Sequence, residues 1–220
     1  MKLSIHQSAR SGFTLIELIT VVSIIALLFS LVVGGFSYAD RYSKRQKTEV
    51  TIKAVRSALE NYSQEFGGYP DVKNPSTTVQ ITNKSYIVGG AACLYQAMSG
   101  DGTDAINGVK SQGVPNSDGE LDLNEAKNVM LKDMPKELWT KSGQIYFMID
   151  GFGHPIRYVK AAPVAAPGST SASAQPRTIN LSTYDIWALN EDNDNATRDS
   201  VEVSQSAVLN TASQVWTKNW

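Results

Sequence analysis

Residues 13–36 of this chain read FTLIELITVVSIIALLFSLVVGGF and carry a single charge, Glu17. As a helix rising ~1.5 Å per residue the block is ~36 Å long, enough to cross a hydrocarbon core of ~30 Å. The segment before it, MKLSIHQSARSG, holds Lys2 and Arg10 and no acid, which favours a cytoplasmic amino terminus. The apolar run is longer than the core of a signal peptide, and no small-residue cleavage site follows it, so the pattern alone is that of a membrane anchor. Glu17 is the anomaly. An acid in an apolar span costs ~2.5–3.5 kcal/mol at the bilayer centre and less near an end. The block contains no Lys or Arg, and Thr20 and Ser23 are neutral. The partner of Glu17 is therefore expected outside the chain.

Composition narrows the function classes. The 220 residues are 42% apolar and 19% charged with a net charge of −1, which disfavours a globally basic nucleic-acid binder. A single cysteine, Cys93, excludes an intramolecular disulfide and a thiolate metal site. Two histidines, His6 and His154, leave little from which to build an acid–base–nucleophile set. There is no G-x-x-x-x-G-K-[ST] phosphate loop. The chain is not expected to be an enzyme.

Residues 37–66 lack Pro and Gly, and Ile52, Val55, Leu59, Tyr62 and Phe66 recur at spacings of three and four. That is one amphipathic helical face. Lys44, Arg45, Lys47, Lys53 and Arg56 lie mostly off it, interspersed with Glu49, Glu60 and Glu65, and read as a solvated face. Gly67-Gly68 and Pro70 stop the helix, and Gly34-Gly35 is where it bends or melts most easily. The expectation is one helix of about 50 residues, its first half (13–36) in lipid and its second (37–66) packed on a head. In the head, residues 67–145 are loop-rich, with AACLYQAM (91–98) helical and Cys93 a small core residue. Ile145–Ile149 and Ile156–Val159 read as strands around a glycine turn, and Thr183–Trp187 as another. Residues 161–175 read as an exposed low-complexity loop, and Ser204–Trp220 as a short helix closing the head.

One acidic stretch, Val114–Glu125, follows the EF-hand spacing in part. Asn116 and Asp118 take the third and fifth positions, Gly119 the turn, Asp122 the ninth and Glu125 the bidentate twelfth, whereas Val114 leaves the first without an oxygen. It reads either as a cation site or as a turn entering a helix.

The heptapeptide Gly12-Phe13-Thr14-Leu15-Ile16-Glu17-Leu18, after its basic leader, resembles the prepilin signature of type IV pilins and type II secretion pseudopilins. The resemblance implies cleavage between Gly12 and Phe13 by a prepilin peptidase, N-methylation of Phe13, and pairing of Glu17 with the amine of a neighbouring subunit during assembly. Gly68-Tyr69-Pro70-Asp71 and Asp150–Tyr158 resemble turns of the major, G-type pseudopilin. In the second, Gly151, Phe152 and His154 replace the usual Pro, Trp and Asn, which makes His154 a turn residue. Ala188–Asn195 resembles that family's calcium loop. Asp185 and Asp192 match, Asn190 replaces a glycine and Ala188 a serine ligand. Asp185, Asn190, Asp192 and Asp194 are thus the candidate Ca2+ ligands.

The implied fold is α+β, a pilin-like lollipop: a long N-terminal helix packed on a small antiparallel-sheet head (67–220) with long loops. The implied function is that of a structural subunit of a type II secretion pseudopilus. It would be a homo-oligomeric filament made with an inner-membrane assembly platform, its ATPase and minor pseudopilins, without nucleic acid. The subunit would be single-pass in the inner membrane, its head in the periplasm or at the cell surface. A type IV pilin or minor pilin for adhesion, motility or DNA uptake is the alternative. A pilin-anchored ligand-binding head, with Trp139, Trp187, Trp216 and Trp220 stacking on a sugar, is a further one.

Overall fold

A computed structural model describes residues 12–72, 74–100, 129–131, 134–161, 178–191 and 216–220. Its contacts fall into two compact units, Met1–Tyr42 and Ser43–Trp220.

Helix α1 runs from Leu15 to Phe66, 52 residues. It passes unbroken through Gly34-Gly35, where the sequence made a bend easiest. Two glycines cost a helix ~1 kcal/mol each, too little to interrupt a ladder this long. It ends where expected: Gly67 turns left-handed (φ 74) and donates its N–H to Ser63 O at 2.9 Å.

Within the first unit, every described residue is exposed. In the second, α1 buries Thr48, Thr51, Ile52, Val55, Ala58, Leu59 and Tyr62. The apolar stripe read from sequence is there, widened by two threonines and an alanine and ending at Tyr62, with Phe66 only half-buried.

The rest of the second unit supplies small antiparallel sheets. β1 (Thr78–Ile81) and β2 (Lys84–Ile87) form a hairpin whose two-residue turn, Thr82-Asn83, has both φ positive. Helix α2 (Gly89–Ser99) is buried on nearly all sides, as its composition of Ala, Leu, Cys and Met allows. It packs on β4 (Ile145–Met148) and β5 (Arg157–Lys160). The contact with β5 is close enough that a Cβ on Gly90 would lie 2.4 Å from Tyr158 O. β3 (Trp139–Ser142) pairs with β4, and β5 with β6 (Tyr184–Ala188), which in turn pairs with β7 (Thr217–Lys218).

The strands expected around the glycine turn are there as β4 and β5; they belong to different sheets, and the bridge Ile149↔Pro155 and the bond from Ile156 N–H to Met148 O (3.1 Å) join the chain across the turn. One expectation needs correction. The chain's last residues are not helical where described: Thr217-Lys218 extend the sheet from β6. Asn219 explains why. Its side-chain oxygen accepts from Ile186 N–H (2.9 Å), its amide donates to Tyr184 O (3.1 Å), and its own N–H donates to Ile186 O (3.2 Å). One residue thus meets the hydrogen-bonding demand of the β6 edge, which a helix could not do.

The core gathers Leu59 and Val55 of α1, Leu94 and Met98 of α2, and Met148, Ile156 and Ile186 of the sheets. A second cluster centres on Phe147 and Val88, and a third on Trp187, Leu189 and Trp216. This is the α+β class expected, with antiparallel sheets.

Candidate assembly site and acidic loop

The helix start carries the prepilin-like residues. Phe13 is 81% exposed, and Thr14 is the residue before the first turn. Thr14 N–H and its hydroxyl both donate to Glu17 Oε2, at 2.8 and 2.6 Å, while Glu17 N–H donates back to Thr14 Oγ1 at 3.3 Å. This is a capping box. The first turn of a helix has amides without intrahelical acceptors, and a Thr-x-x-Glu pair satisfies two of them reciprocally. Glu17 therefore has a partner inside the apolar block, Thr14, where the sequence pointed only outside the chain. The spacing Thr14-x-x-Glu17 was visible in the sequence as that signal. Thr20 and Ser23 instead donate back to carbonyls one turn earlier, Ile16 and Glu17 O for Thr20 and Ile19 O for Ser23.

From Phe13 to Phe36 no side chain is buried within the unit. This part of α1 is long and apolar enough to cross a membrane. The described residues of its unit leave that hydrophobic surface uncovered, a larger apolar patch than a soluble monomer usually shows.

The second unit holds a cluster of polar pins around the turn at 150–154. Asp150 is buried; its Oδ1 accepts from Phe152 and His154 N–H, both at 2.8 Å, and its Oδ2 from Asn190 N–H at 3.1 Å. Burial pushes its carboxyl above the ordinary value, against the pull of His154 and those three amides. His154 is a turn residue, as expected. Its Nδ1 lies 2.6 Å from Asn190 O, and its ring stacks on Tyr86. Gly151 N–H donates to Thr48 Oγ1 at 2.9 Å, and a Cβ there would lie 2.2 Å from Lys44 O. Proline, the residue this turn resembles having at that place, could neither donate that bond nor fit. Thr48 and Gly151 are thus one device, legible only once α1 and the turn are brought together.

Asn190 adopts φ 53, the left-handed conformation that a residue standing in for glycine requires. Its Nδ2 donates to Thr217 Oγ1 at 3.1 Å. Glu191 forms a two-pronged ion pair with Arg45 of α1. Asp185 has other work. It is fully buried on β6, and its oxygens accept from Ile179 N–H, Asn180 N–H (3.0 Å) and the Asn180 amide (2.6 Å), shaping the 178–180 turn. Asp192, Asp194, Asn116, Asp118, Asp122 and Glu125 lie outside the described residues. Among the described residues no group of three or more His, Cys, Asp or Glu side chains is gathered to hold a metal.

Cys93 is buried in α2, its Sγ 3.5 Å from Asp71 O. Trp187 is fully buried, Trp216 packs beside it, and Trp220 meets Trp187 edge-on at 5.7 Å. Trp139 stacks obliquely on Tyr95 and Tyr146.

The family described as "Prokaryotic N-terminal methylation motif" matches residues 7–33. The chain is 32% identical over 74 residues to the type IV major pilin protein PilA of Myxococcus xanthus, which covers 34% of either chain. It is 35% identical over 65 residues to the type II secretion system core protein G of Klebsiella michiganensis, covering 30% of this chain and 46% of that one. The matches span between a third and a half of those relatives' lengths. No solved structure matches the chain. Over residues 7–33 the sequence carries the N-terminal methylation motif, and over about its first third it is similar to a type IV major pilin and to a type II secretion core protein.

Proposed function

We propose that this chain is a structural subunit of a type II secretion pseudopilus, a filament of the cell envelope that drives export. The observation that carries the reading is a stem with no side chain buried in its own unit and one charge, Glu17, in its first turn. Removal of the leader between Gly12 and Phe13 by a prepilin peptidase leaves an amine at Phe13, which is then methylated. In the free subunit Glu17 is held by Thr14. In the filament it turns to the cationic amine of a neighbour, an exchange of a neutral hydrogen-bond partner for a charged one. Such charge-assisted bonds are roughly twice as strong as neutral ones.

An inner-membrane platform and its ATPase supply the work, minor pseudopilins complete the assembly, and the head stands in the periplasm. The role is structural, without catalysis or nucleic acid. Calcium is proposed for the loop opening at Asn190, with Asp192 and Asp194. Asp185 is left out of that set because its oxygens already serve three N–H donors.

The pseudopilus is favoured over a pilus by Cys93. It is the chain's one thiol, so no disulfide closes the carboxy-terminal region as in many pilins; Asn219 ties the last strand instead. The match to a major pilin keeps a type IV pilus as the second reading. Deleting the protein separates the two: export substrates retained in the periplasm with surface pili intact supports the first, and loss of surface pili with normal export supports the second. Mass spectrometry of membrane-extracted protein should find N-methylated Phe13 as the first residue; intact Met1 in assembled filaments rules out the processing.

A further inference from the structure

Within the first unit, residues 18–36 of α1 carry no charge. At ~1.5 Å per residue they are ~28 Å long, close to a hydrocarbon core of ~30 Å. With Glu17 at one face of that core, Phe36 reaches the other. The next turn of the helix, residues 38–42, then lies ~3–9 Å beyond the core, across a headgroup layer roughly 5–8 Å deep.

The side chains change character at that depth. Tyr38, Arg41 and Tyr42 stand at i, i+3 and i+4, on one face of the helix, whereas Asp40 falls on the opposite side. The two tyrosines are 74% and 57% exposed, and Arg41 is exposed as well. Among the described residues none makes a hydrogen bond or ion pair with any of the three. Tyrosine carries a polar hydroxyl on an apolar ring, and arginine a guanidinium on an apolar stem that grips phosphate with two prongs. Water does not satisfy the rings, and hydrocarbon does not satisfy the hydroxyls or the guanidinium. A layer that is apolar on one side and rich in phosphate on the other satisfies both.

We propose that Tyr38, Arg41 and Tyr42 form a collar that binds phospholipid headgroups where the stem leaves the bilayer, the guanidinium on phosphate and the tyrosine rings just beneath it. The collar rests on the membrane-anchored reading and adds a fixed resting depth to it. It holds one end of the stem while Phe13 and Glu17 stand at the opposite face. A subunit that leaves the membrane for a filament has to release these headgroups first.

The test uses the full chain in vesicles of phosphatidylethanolamine and phosphatidylglycerol. A nitroxide is placed on Leu27→Cys, Ala39→Cys or Thr82→Cys, one at a time, with the buried Cys93 left unlabelled. Relaxation by oxygen, which enters lipid, against relaxation by a water-soluble nickel chelate reads the depth of each label. The Leu27 label should respond to oxygen alone, the Thr82 label chiefly to nickel, and the Ala39 label to both. Tyr38→Ser/Arg41→Ser/Tyr42→Ser should raise nickel relaxation at Ala39 about twofold, a shift toward water of one or two residues at ~1.5 Å each. Tyr38→Trp/Tyr42→Trp keeps an apolar ring with a polar edge and should hold Ala39 at the parent depth. The three side chains are exposed, so the near-ultraviolet circular dichroism of the head should be the same in every variant. An Ala39 label that reads like the Thr82 label in the parent, or that stays put in the serine variant, overturns the collar and leaves the membrane anchor standing. A tryptophan pair that shifts as the serine variant does also overturns it. Nickel relaxation at Leu27 equal to that at Thr82 removes the membrane anchor, and the collar with it.

Discussion

Helix α1 contains two different kinds of helix under one unbroken ladder. From Leu15 to Tyr42 no residue is buried; from Thr48 to Tyr62 seven are. Leu27 and Leu59 are the same side chain on the same helix, 63% and 0% exposed. What separates them is sequence pattern. Up to Phe36 the first stretch is apolar on every side, so no single face can be satisfied by one head. The second is apolar on one stripe, which one core can cover. The first half is written for an environment and the second for a fold.

The sharpest way to break that contrast is at Glu17. Glu17→Val should reduce filament recovery by an order of magnitude or more, because the stem then has no charge with which to meet a neighbour's amine. The melting temperature of the head should not move, since Glu17 bonds only within the first turn. Filaments at normal yield would reduce Glu17 to a capping residue.

Next comes the leucine pair. Leu59→Ala should destabilise the second unit by about 2–5 kcal/mol, the usual cost of emptying a closed core site. Leu27→Ala in detergent should leave its melting unchanged. A loss at Leu27 comparable to that at Leu59 would mean that the stem is part of the same cooperative unit.

A smaller loss is expected where the second unit depends on polar pins. Asp150→Asn keeps the shape but turns one acceptor into a donor facing Asn190 N–H; leaving that buried amide unmet should cost about 1–3 kcal/mol by chemical denaturation. A variant as stable as the parent would show that the 150–154 turn and the start of the acidic loop are held independently.

The two halves also differ in how far the sequence discloses them. The stem's length and helical form were readable, because uniform apolarity needs no tertiary information, but the Thr14 cap on Glu17 was not read from it. Of the head, the stripe of Ile52, Val55, Leu59 and Tyr62 was readable, and so were α2 and β6. Thr48, Thr51 and Ala58 were missed because they are small or polar; for Thr48 it is the close approach of the Gly151 backbone that makes it core. Asp185 was read as a metal ligand because it follows a resemblance in sequence; the structure spends its oxygens on a turn at 178–180 that precedes it. The Asn219 clasp was missed because it depends on which strand edge is left open, a property of topology and not of local pattern.

The smallest effect expected on the head tests whether α1's outer side belongs to the fold at all. Lys53→Ala removes an exposed pair one turn apart, Lys53 68% and Glu49 44% exposed, worth about 0.3–0.5 kcal/mol in a helix. Alanine returns a few tenths through its higher helix propensity, so the net change in head stability should fall within about 0.5 kcal/mol. A loss well beyond that would mean Lys53 contributes to the head's own stability, and assembly defects at this position would then have to be read as folding defects. A change within it leaves Lys53 outside the head's own stability, so that an assembly defect at this position reports what the residue meets outside the chain.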